Sequence, residues 1–373
     1  MTGEYPPRQG GVSDYTRQIA KGLAGAGDEV HVWAPRALNG PLDPDPGVIV
    51  HALAGPFGPA TLSQLSWELE RLAKPYRLLV QYVPQAFGYK AMNVGFALWL
   101  YGRRQHGVHV MFHEVAVKFH RRQPLLVNAL AAVTHLMASL VLRAADRVFM
   151  STSTWEAHLR TLGPIRRKPL GLPIPSNIPT AVAPQDVQEA RSRLGIPATR
   201  LVISSFGTYG RQLRPPLDDI VHGLLLGDEN RVALLLGRGG DTYAADTCRR
   251  FPALRGRIFA PGALPGDQVA LYLAGADLLV QPFPDGVTTR RTSLMAGLAL
   301  GRPIVTTEGF NTESLWKQTG VVFLARPDTQ DMIATAQLAL ADDRLRAAVG
   351  QRAAKLYREQ FSLERTIEAL RAS

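Results

Sequence analysis

Short apolar runs rich in β-branched residues alternate with stretches of helical period along the whole chain. Five runs in the first half, each bounded by turn residues, are predicted as strands: 28–35, 47–53, 76–84, 107–114 and 146–152. Five runs in the second half have the same character: 200–207, 231–237, 256–262, 277–283 and 302–309. Alternation of this kind is typical of parallel strands joined by crossover helices. The pattern therefore predicts an α/β protein with two Rossmann-like domains.

A proline-rich segment, "GPIRRKPLGLPIPSNIPTAVAP" (163–184), separates the two sets of strands. Prolines at this density interrupt both helices and strands. A length of 373 residues also favours two domains of ordinary size. We therefore place the domain boundary in this segment, after residue 170. In such folds the default ligand site is a cleft at the carboxyl ends of the strands.

The first helix is entered through the segment "EYPPRQGGVSDYT". Gly10 and Gly11 lack a Cβ, so another group can come close to their backbone N–H groups. Ser13 and Asp14 are types that cap helix N-termini, and the predicted helix ends at "GLAGAG" (22–27). A helix entered through glycines can bind an anion. The same residues also fit a turn that only caps the helix.

A right-handed crossover requires a strand ahead of this helix, yet only "MTGEYPP" precedes the two glycines. Two explanations are open. Either the natural chain begins upstream of Met1 with several more apolar residues, or the first sheet lacks its central strand. We expect the former.

The chain carries a formal net charge of +11, mostly through arginine. This charge suits nucleic acid, anionic lipid or phosphorylated small molecules, and an arginine-rich genome would produce it as well. The basic residues are scattered and form no nucleic-acid-binding motif, so no nucleic acid partner is expected. The single cysteine, Cys248, excludes a disulfide within the chain and fits a reducing, cytoplasmic location.

One apolar stretch, "PLLVNALAAVTHLMASLVL" (124–142), is nearly as long as a membrane span. Polar residues interrupt it, and Arg143 and Asp146 follow directly. We expect a buried helix of the first domain. The alternative is a surface that rests on an anionic membrane, favoured by "KFHRRQ" just before it. That alternative would place the protein peripherally on the inner face of the membrane.

The order of the motifs resembles that of GT-B glycosyltransferases, specifically glycosyltransferase family 4. "GEYPPRQGGVSDYTRQIAKGLAGAGDEVHVWAP" resembles the amino-terminal signature, and "SSFGTYGRQLRPPLDDIVHGL" stands where the family has its phosphate-binding segment. "PFPDGVTTRRTSLMAGLALGRPIVTTEG" resembles the donor-binding helix, and "REQFSLERTIEAL" resembles the closing helix.

The resemblance implies two facing Rossmann-like domains of GT-B fold with an inter-domain cleft. Residues 1–170 would form the acceptor-side domain, completed by a C-terminal helix in 355–373 that crosses back to it. Residues 171–354 would bind a nucleotide sugar. The resemblance gives no cofactor: the nucleotide sugar, UDP- or GDP-linked by preference, is a substrate.

For the donor diphosphate, the resemblance implies a loop formed by Gly10 and Gly11. In the second domain, Arg211 and Arg214 follow a strand end at Gly207 and are the candidate phosphate cations. Guanidinium groups match phosphate geometry, and the family usually supplies such cations in place of a metal. We favour Arg211 of the two. Two further residues, Gly262 and Leu264, would form the base pocket.

The donor-sugar loop departs from the family, whose members commonly carry two glutamates eight residues apart. Asp285 and Gly286 can stand for the first acid and its glycine, but no carboxylate stands in the place of the second. Hydroxyl and guanidinium groups at the start of the next helix can bind phosphate or ribose in its place: Thr288, Arg291, Thr292 and Ser293.

In the first domain, "FHE" ends a strand where the resemblance places the site. His113 would hydrogen-bond the donor sugar or steady the β-phosphate, and Glu114 would orient it or meet the acceptor. Gln81 and Tyr82 end the neighbouring strand and would line the acceptor side. Ordinary packing is the alternative for each of these residues.

The resemblance implies retaining, metal-independent transfer of a hexosyl unit from a nucleotide-diphosphate sugar to a hydroxyl group. The acceptor would be a sugar or a lipid-linked intermediate in polysaccharide or cell-envelope glycan synthesis. His113 and Asp285 are the predicted catalytic residues. The missing second glutamate keeps another function open: a non-catalytic GT-B module that binds a nucleotide or a polyanionic partner without turnover.

Overall fold

The computed structural model describes residues 1–8, 10–36 and 45–373. The chain forms two compact units: Met1–Pro173 together with Leu363–Ser373, and Ile174–Ser362. The sequence predicts these divisions after residues 170 and 354, about three and eight residues earlier. The inter-domain cleft expected from the sequence stays a prediction.

The strands of the first unit form a two-stranded and a four-stranded parallel sheet, with helices between the strands. Its strands are β1 (Val30–Pro35), β2 (Val48–Leu53), β3 (Leu78–Tyr82), β4 (Val108–Phe112), β5 (Arg147–Met150) and β6 (Leu170–Gly171). Its helices are α1 (Gly11–Gly25), α2 (Pro59–Glu70), α3 (Val94–Gly102), α4 (Leu125–Ala144), α5 (Trp155–Leu162) and, at the chain end, α14 (Leu363–Arg371). Two short 3₁₀ turns, Pro84–Phe87 and Tyr89–Ala91, follow β3.

Residues 1–3 lie between β1 and β3. The Thr2 N–H donates to the Trp33 carbonyl at 3.1 Å, and Thr2 pairs with Gln81 in parallel. β1 pairs with β2 on one side, and β3, β4, β5 and β6 follow in order on the other. Residues 1–3 therefore lie between the two-stranded and the four-stranded sheet, where the sequence predicts a strand ahead of the glycines.

The second unit is a six-stranded parallel sheet. Its strands are β7 (Leu201–Phe206), β8 (Arg231–Leu236), β9 (Ile258–Gly262), β10 (Leu278–Gln281), β11 (Ile304–Thr307) and β12 (Phe323–Ala325). Its helices are α6 (Pro184–Arg193), α7 (Arg214–Leu226), α8 (Gly240–Arg250), α9 (Gly266–Ala274), α10 (Thr292–Ala299), α11 (Ser314–Thr319), α12 (Thr329–Ala341) and α13 (Asp343–Leu356). A 3₁₀ turn, Pro252–Leu254, follows α8, and a π-helical turn, Tyr357–Phe361, follows α13.

The strand order of the second unit is β12-β11-β10-β7-β8-β9. The chain starts in the middle with β7, adds β8 and β9 on one side, and then returns to add β10, β11 and β12 on the other. The order therefore reverses between β7 and β10, which is the doubly wound arrangement of a Rossmann-like domain.

All ten strands predicted from the sequence are present, each trimmed by one to four residues at its ends, and β6 and β12 were not predicted. The long strands bury nearly every residue: β4 is buried throughout, and β8 is buried except at its first residue. Strands covered on both faces read as continuous apolar runs, which is why the pattern identifies them. β6 and β12 span two and three residues, too few to show a period.

The apolar stretch at 124–142 forms the single helix α4, as expected. In the described part of the chain, α4 is the one helix long and apolar enough to cross a membrane, and 33% of its most apolar window is buried. Its C-terminal half packs into the core of the first unit through Met137, Ala138, Val141 and Leu142. Its first turn is different, because Leu125 and Leu126 are 86% and 84% exposed.

The carboxyl ends of β7 and β8 are in contact through two glycines, Gly207 and Gly237. Gly237 has a φ of +111°, and a Cβ built on it would overlap the carbonyl oxygen of Gly207. We expect Gly237→Ala to lower the free energy of unfolding by about 2–5 kcal/mol, because it adds a strained φ to a backbone clash. Denaturant unfolding measures this loss.

Gly239→Ala is the matched control. Gly239 also has a positive φ, +79°, but a Cβ there would meet nothing within 4 Å. We expect it to cost only about 1–2 kcal/mol, the usual cost of the left-handed conformation. Equal losses in the two variants would contradict the close approach of the two strand ends.

Candidate functional site

Four neighbouring strands of the second unit end at one edge of the sheet. β10, β7, β8 and β9 are adjacent and parallel, and loops that begin at 282, 207, 237 and 263 leave their carboxyl ends. Ligands of doubly wound sheets bind at this edge, at the point where the strand order reverses. Every donor-binding residue predicted in the second unit lies in these four loops or in the strand and helix ends next to them.

The two predicted phosphate cations differ in their surroundings. Arg214, the first residue of α7, is half-buried: its Nε donates to the Tyr209 carbonyl at 3.0 Å and its Nη1 to Asp246 Oδ2 at 3.1 Å. Arg211 is exposed and, in the part of the chain that the structure describes, has no hydrogen-bond or ion-pair partner. The guanidinium of Arg214 is therefore engaged within the unit, whereas that of Arg211 is available to a ligand.

Arg238 is a cation that the sequence reasoning did not single out. It follows Gly237 at the end of β8, is exposed, and has no ion-pair partner among the described residues. Arg238 lies in the loop that begins at Gly237, and Arg211 lies in the loop that begins at Gly207. These two loops start side by side, because Gly207 and Gly237 are in contact. The sequence feature that could have identified this cation is "GRGG", in which an arginine stands among glycines directly after a strand.

The predicted base pocket begins at the end of β9. Gly262 is the last residue of that strand and has a φ of +79°, a conformation that glycine adopts without strain. Leu264 follows two residues later and packs partly buried against the core of the second unit. The chain therefore turns at this edge of the sheet and leaves the backbone at 262–264 partly exposed.

Asp285 lies in the loop after β10 and is held by two partners. Its Oδ1 pairs with Arg291 Nη2, and its Oδ2 accepts from Asn311 Nδ2 at 3.2 Å. Burial lowers the pKa of the Arg291 guanidinium, Asp285 opposes that shift, and the guanidinium also lies over the Phe283 ring. The carboxylate is thus fixed in place while 26% of its side chain remains exposed.

Gly286 closes the turn that presents Asp285. Its φ is +96°, and a Cβ there would overlap the Thr312 hydroxyl and the backbone of Gly309. The Gly286 N–H donates to the Phe283 carbonyl at 2.9 Å. The glycine predicted beside the acid is therefore required by the backbone itself.

No side chain caps the first backbone N–H groups of α10. Thr292 and Ser293 are its first two residues, and the side chain of Arg291 before them makes no cap. The Thr288 hydroxyl is buried without a hydrogen-bond partner in the described residues. Uncapped first-turn N–H groups suit an anion or a polar ligand.

A carboxylate that the sequence reasoning overlooked also holds this loop. Glu313 is buried and accepts from the Thr289 N–H at 2.5 Å and from the Thr289 hydroxyl at 3.0 Å. Trp316 Nε1 donates to the same carboxylate at 3.3 Å. Glu313 therefore connects the loop after β10 to the start of α11. The two partners are 24 residues apart in sequence, so no local pattern could have revealed this contact.

In the first unit, α1 begins at Gly11 with Gly10 as its N-cap, and no side chain caps it. The prediction that Ser13 or Asp14 caps the helix is wrong: both lie inside α1, and the Ser13 hydroxyl donates to the Arg8 carbonyl at 2.5 Å. Among the described residues, no side chain caps the first-turn N–H groups at the glycine pair, and uncapped N–H groups are what an anion site requires.

His113 directly follows β4 and is buried, with 7% of its surface exposed. Its Nε2 lies 2.8 Å from Gln81 Oε1, so Nε2 carries the proton and Nδ1 is the acceptor. The ring also makes an edge contact with Tyr15 of α1, with centroids 4.9 Å apart. Burial lowers the pKa of His113 to about 3, so the ring is neutral at pH 7.

These contacts correct two details of the sequence interpretation. A neutral His113 can bond a sugar hydroxyl through Nδ1, but it offers no positive charge to a β-phosphate. Gln81 is 2% exposed and positions His113, and so does not line an open acceptor surface.

Tyr82 and Glu114 complete the predicted acceptor side. The Tyr82 side chain is fully buried and packs against Phe87 and Phe112 in the core of the first unit. The prediction that it lines the acceptor side is therefore not supported, because a core side chain cannot reach a substrate. Glu114, the residue after His113, is partly exposed and keeps its predicted position at the strand end.

No group of three or more metal-binding side chains comes together in residues 1–8, 10–36 and 45–373.

Comparisons with known proteins agree with this geometry. Residues 10–172 match the family described as glycosyl transferase 4-like domain. HepE from Anabaena, solved with UDP and glucose, has a TM-score of 0.72 and 15% identity over 99% of this chain and 96% of its own. Sucrose-phosphate synthase from Thermosynechococcus elongatus has a TM-score of 0.69 and 18% identity over 99% and 94%. A comparison with curated protein sequences found no match.

WaaG, a glycosyltransferase involved in lipopolysaccharide biosynthesis, has a TM-score of 0.67 and 15% identity over 98% of this chain and 96% of its own. The chain therefore has the fold of the GT-B glycosyltransferases, built from two Rossmann-like units. More particularly, most of its first unit matches the glycosyl transferase 4-like domain, which confirms the resemblance drawn from the motifs.

The burial of His113 has a consequence for stability. An unfolded histidine has a pKa near 6.5, so below that value the unfolded state binds a proton that folded His113 does not. Stability therefore falls as the pH decreases from 7 to 5, by about 2 kcal/mol through this residue alone. We expect His113→Gln to reduce the pH dependence by that amount in denaturant unfolding at the two pH values.

Part of the pH dependence should remain in this variant, because burial also lowers the pKa of His109 to about 4. An unchanged pH dependence in His113→Gln would show that His113 titrates normally and is not buried as described.

Proposed function

We propose that the protein is a retaining hexosyltransferase that moves a sugar from a nucleotide-diphosphate donor to a hydroxyl group without a metal ion. The second unit binds the donor at the carboxyl edge of β10, β7, β8 and β9. The observation that carries this proposal is the exposed guanidinium of Arg211 beside the Gly207–Gly237 strand ends. Relatives of the same fold have been solved with UDP and with UDP-glucose, which supports a UDP-linked donor.

The donor diphosphate carries negative charge that grows as the nucleotide leaves. Arg211 and Arg238 supply exposed guanidinium groups, which bind phosphate oxygens through charge-assisted hydrogen bonds. In the first unit, the uncapped N-terminus of α1 at Gly10 and Gly11 supplies backbone N–H groups. Fixed donors of this kind stabilise the developing charge in the transition state.

The sugar and ribose hydroxyls have partners in the loop after β10. Asp285 is held by Arg291 and Asn311, and its carboxylate still has lone pairs with which to accept hydrogen bonds from hydroxyls. The Thr288 hydroxyl and the first N–H groups of α10 provide further polar contacts. These groups take the place of the second glutamate that the family commonly carries.

His113 is the polar group at the end of β4, and we propose that its neutral Nδ1 accepts a hydrogen bond from a donor-sugar hydroxyl. Gln81 fixes the tautomer and orientation of the ring, and Tyr15 packs against its edge. Transfer then proceeds on one face of the sugar through an oxocarbenium-like state, and the leaving phosphate accepts the acceptor proton. The protein contributes positioning and charge stabilisation.

The first unit also offers a surface for the membrane, where a lipid-linked acceptor would lie. Phe119, Leu125 and Leu126 are exposed, with Lys118, Arg121 and Arg122 on the same segment. No Asp or Glu occurs between residues 115 and 145. Exposed apolar side chains beside lysine and arginine suit an anionic bilayer, whose surface attracts the basic groups. We propose peripheral attachment through this basic apolar segment, residues 118–126.

Donor binding is tested by calorimetry with UDP, GDP, ADP and TDP on the full chain, with Mg²⁺ and with a chelator. We expect one nucleotide to bind equally well in both conditions. Arg211→Ala should weaken that binding about 10–100-fold, because a hydrogen bond to a charged group contributes about 1.5–3 kcal/mol.

Arg344→Ala removes the same charge from an exposed position of α13 and is the control, with no change expected. Binding that requires Mg²⁺ would contradict metal independence. Turnover of the UDP-sugar with a hydroxyl acceptor separates the enzyme from a module that binds a nucleotide without turnover. Failure of all four nucleotides to bind would overturn the donor proposal.

Membrane attachment is tested by co-sedimentation with vesicles of phosphatidylcholine, with and without phosphatidylglycerol. We expect binding only to the anionic vesicles. The double variant Leu125→Ser and Leu126→Ser should bind at least about tenfold more weakly, since a buried leucine contributes about 1.5–3 kcal/mol.

Leu338→Ser on α12 is the matched control, because Leu338 is also exposed, at 72%. An equal loss in this variant, or equal binding to neutral vesicles, would contradict docking through the basic apolar segment.

A further inference from the structure

Three consecutive residues of the first unit have a backbone conformation that glycine alone adopts without strain. Tyr89, Lys90 and Ala91 have φ values of +52°, +53° and +70°, and no other non-glycine residue among residues 1–8, 10–36 and 45–373 has a positive φ. Residues with a side chain enter this left-handed region singly and at an energetic cost, because their Cβ crowds a carbonyl oxygen. A run of three is therefore strained, and the surrounding structure must hold it in place.

Buried hydrogen bonds of Asn93 hold this strained turn, residues 88–91. The Asn93 side chain donates from Nδ2 to the carbonyls of Phe57 and Phe87, at 2.8 Å in both cases. Its Oδ1 accepts from the Phe96 N–H at 3.0 Å, and Asn93 itself is only 5% exposed. The turn is therefore tied on one side to the loop after β2 and on the other side to α3.

The strained turn also packs directly against the loop that follows β2. A Cβ built on Gly88 would lie 2.7 Å from the Pro56 side chain, so the turn and this loop approach closely. A Cβ built on Gly58 would overlap the Tyr89 hydroxyl, so the tip of the Tyr89 ring rests on the backbone just before α2. These contacts fix the place of the ring.

The turn stands at the edge where the strands of the first unit end. β3 and β4 are parallel neighbours, and the N–H of His113, just after β4, donates at 3.1 Å to the carbonyl of Tyr82, the last residue of β3. From Tyr82 the chain reaches the strained turn within six residues. A Cβ built on Gly3 would overlap the Ala86 carbonyl, so this connection also lies against the residues that lead to the glycine pair. The turn and His113 therefore share one strand-end edge.

The turn exposes an aromatic ring and a cation that are adjacent in the sequence. Tyr89 is 53% exposed although the tip of its ring is held against Gly58. Lys90 is exposed, and its ammonium group has no ion-pair partner in the described part of the chain. A fixed aromatic ring offers a flat apolar face, and a lysine without a partner offers a point charge to an anion.

We propose that the strained turn binds the acceptor of the transfer reaction, a sugar that carries an anionic group. Tyr89 packs against the apolar C–H face of the sugar ring, and the Lys90 ammonium pairs with its phosphate ester or carboxylate. This inference rests on the proposed function, because sugar transfer is the reaction that requires an acceptor hydroxyl. His113, the proposed partner of the donor sugar, stands at the same edge, so the acceptor is bound on the side of the sheet where transfer takes place.

The strain supports this assignment. Strained residues cluster at sites where a ligand needs side chains in fixed directions, and other contacts of the fold compensate for them. Packing accounts for Ala91, which is only 4% exposed. It does not account for Tyr89 and Lys90, whose side chains are largely exposed, since a surface turn with these φ values would use glycine or asparagine.

The first test is calorimetry on the full chain at a saturating concentration of UDP, or of whichever nucleotide binds, so that the donor phosphate site is filled. The probes are the 1-phosphates of glucose, galactose and mannose, the matching hexuronic acids and the matching methyl hexosides. We expect one anionic series to bind at least about tenfold more tightly than the neutral methyl hexosides. The series that binds identifies the anion as a phosphate or a carboxylate.

Lys90→Ala should remove this preference, so that anionic and neutral sugars bind equally. Tyr89→Ala should weaken the binding of every sugar about tenfold, whereas Tyr89→Phe keeps the ring and should keep the affinity. Lys168→Ala is the matched control, since Lys168 is exposed just before β6, at the opposite end of the strands. Unchanged binding in both alanine variants of the turn, or an equal loss in Lys168→Ala, would overturn the proposal.

The same titrations separate this inference from the proposed function. Nucleotide binding that persists in every variant, with no sugar bound by the unaltered chain, would overturn the acceptor site alone. Failure of all nucleotides to bind would overturn the donor proposal and this inference with it.

A second measurement tests the strain itself. Lys90→Gly removes both the side chain and its strain, so we expect the midpoint of denaturant unfolding to rise while the preference for anionic sugars is lost. Gln85→Gly is the control, because Gln85 is exposed in the preceding 3₁₀ turn and has no positive φ; its midpoint should fall. A lower midpoint in Lys90→Gly would contradict the strained turn.

Discussion

A parallel sheet must be covered on both faces, and this constraint determines where chemistry can occur in each unit. The crossover helices occupy the faces, so β4 and β8 are buried almost throughout and have no side chain to offer a ligand. Only the edge at which strands end and loops begin remains available. His113, Gly207, Gly237 and Asp285 all stand at such strand ends.

The glycines at this edge are required first by the backbone, because they allow close approaches that a side chain would prevent. Gly207 and Gly237 let two strand ends touch, and Gly286 lets the acid loop fold against Gly309. Each close approach brings a polar group toward the same edge: Arg211 and Arg238 after the first pair, and Asp285 beside Gly286. A nucleotide diphosphate needs such an arrangement, because its charge must be met by several donors held in fixed positions.

The strands and their alternation with helices followed from the sequence because apolar runs and helical periods are local properties. The helix α4 and the glycine entry to α1 were predictable for the same reason. The partners of the site residues were not. Asp246 engages Arg214 across 32 residues, and Glu313 holds Thr289 across 24 residues. Tyr82 was wrongly predicted to line the acceptor side, whereas its side chain is buried in the core. When both faces of a strand are buried, the sequence does not show which of its side chains reach the open edge of the sheet. The short strands β6 and β12 lack enough residues to show a period.

The central claim is that one strand edge of the second unit binds the nucleotide of the donor. Hydrogen exchange with and without UDP, read by mass spectrometry, tests it directly. We expect slower exchange in four loops, 207–214, 237–240, 262–266 and 285–293, and no change in α12 and α13 of the same unit. Unchanged exchange in those four loops at saturating nucleotide, or protection confined to other segments, would contradict it.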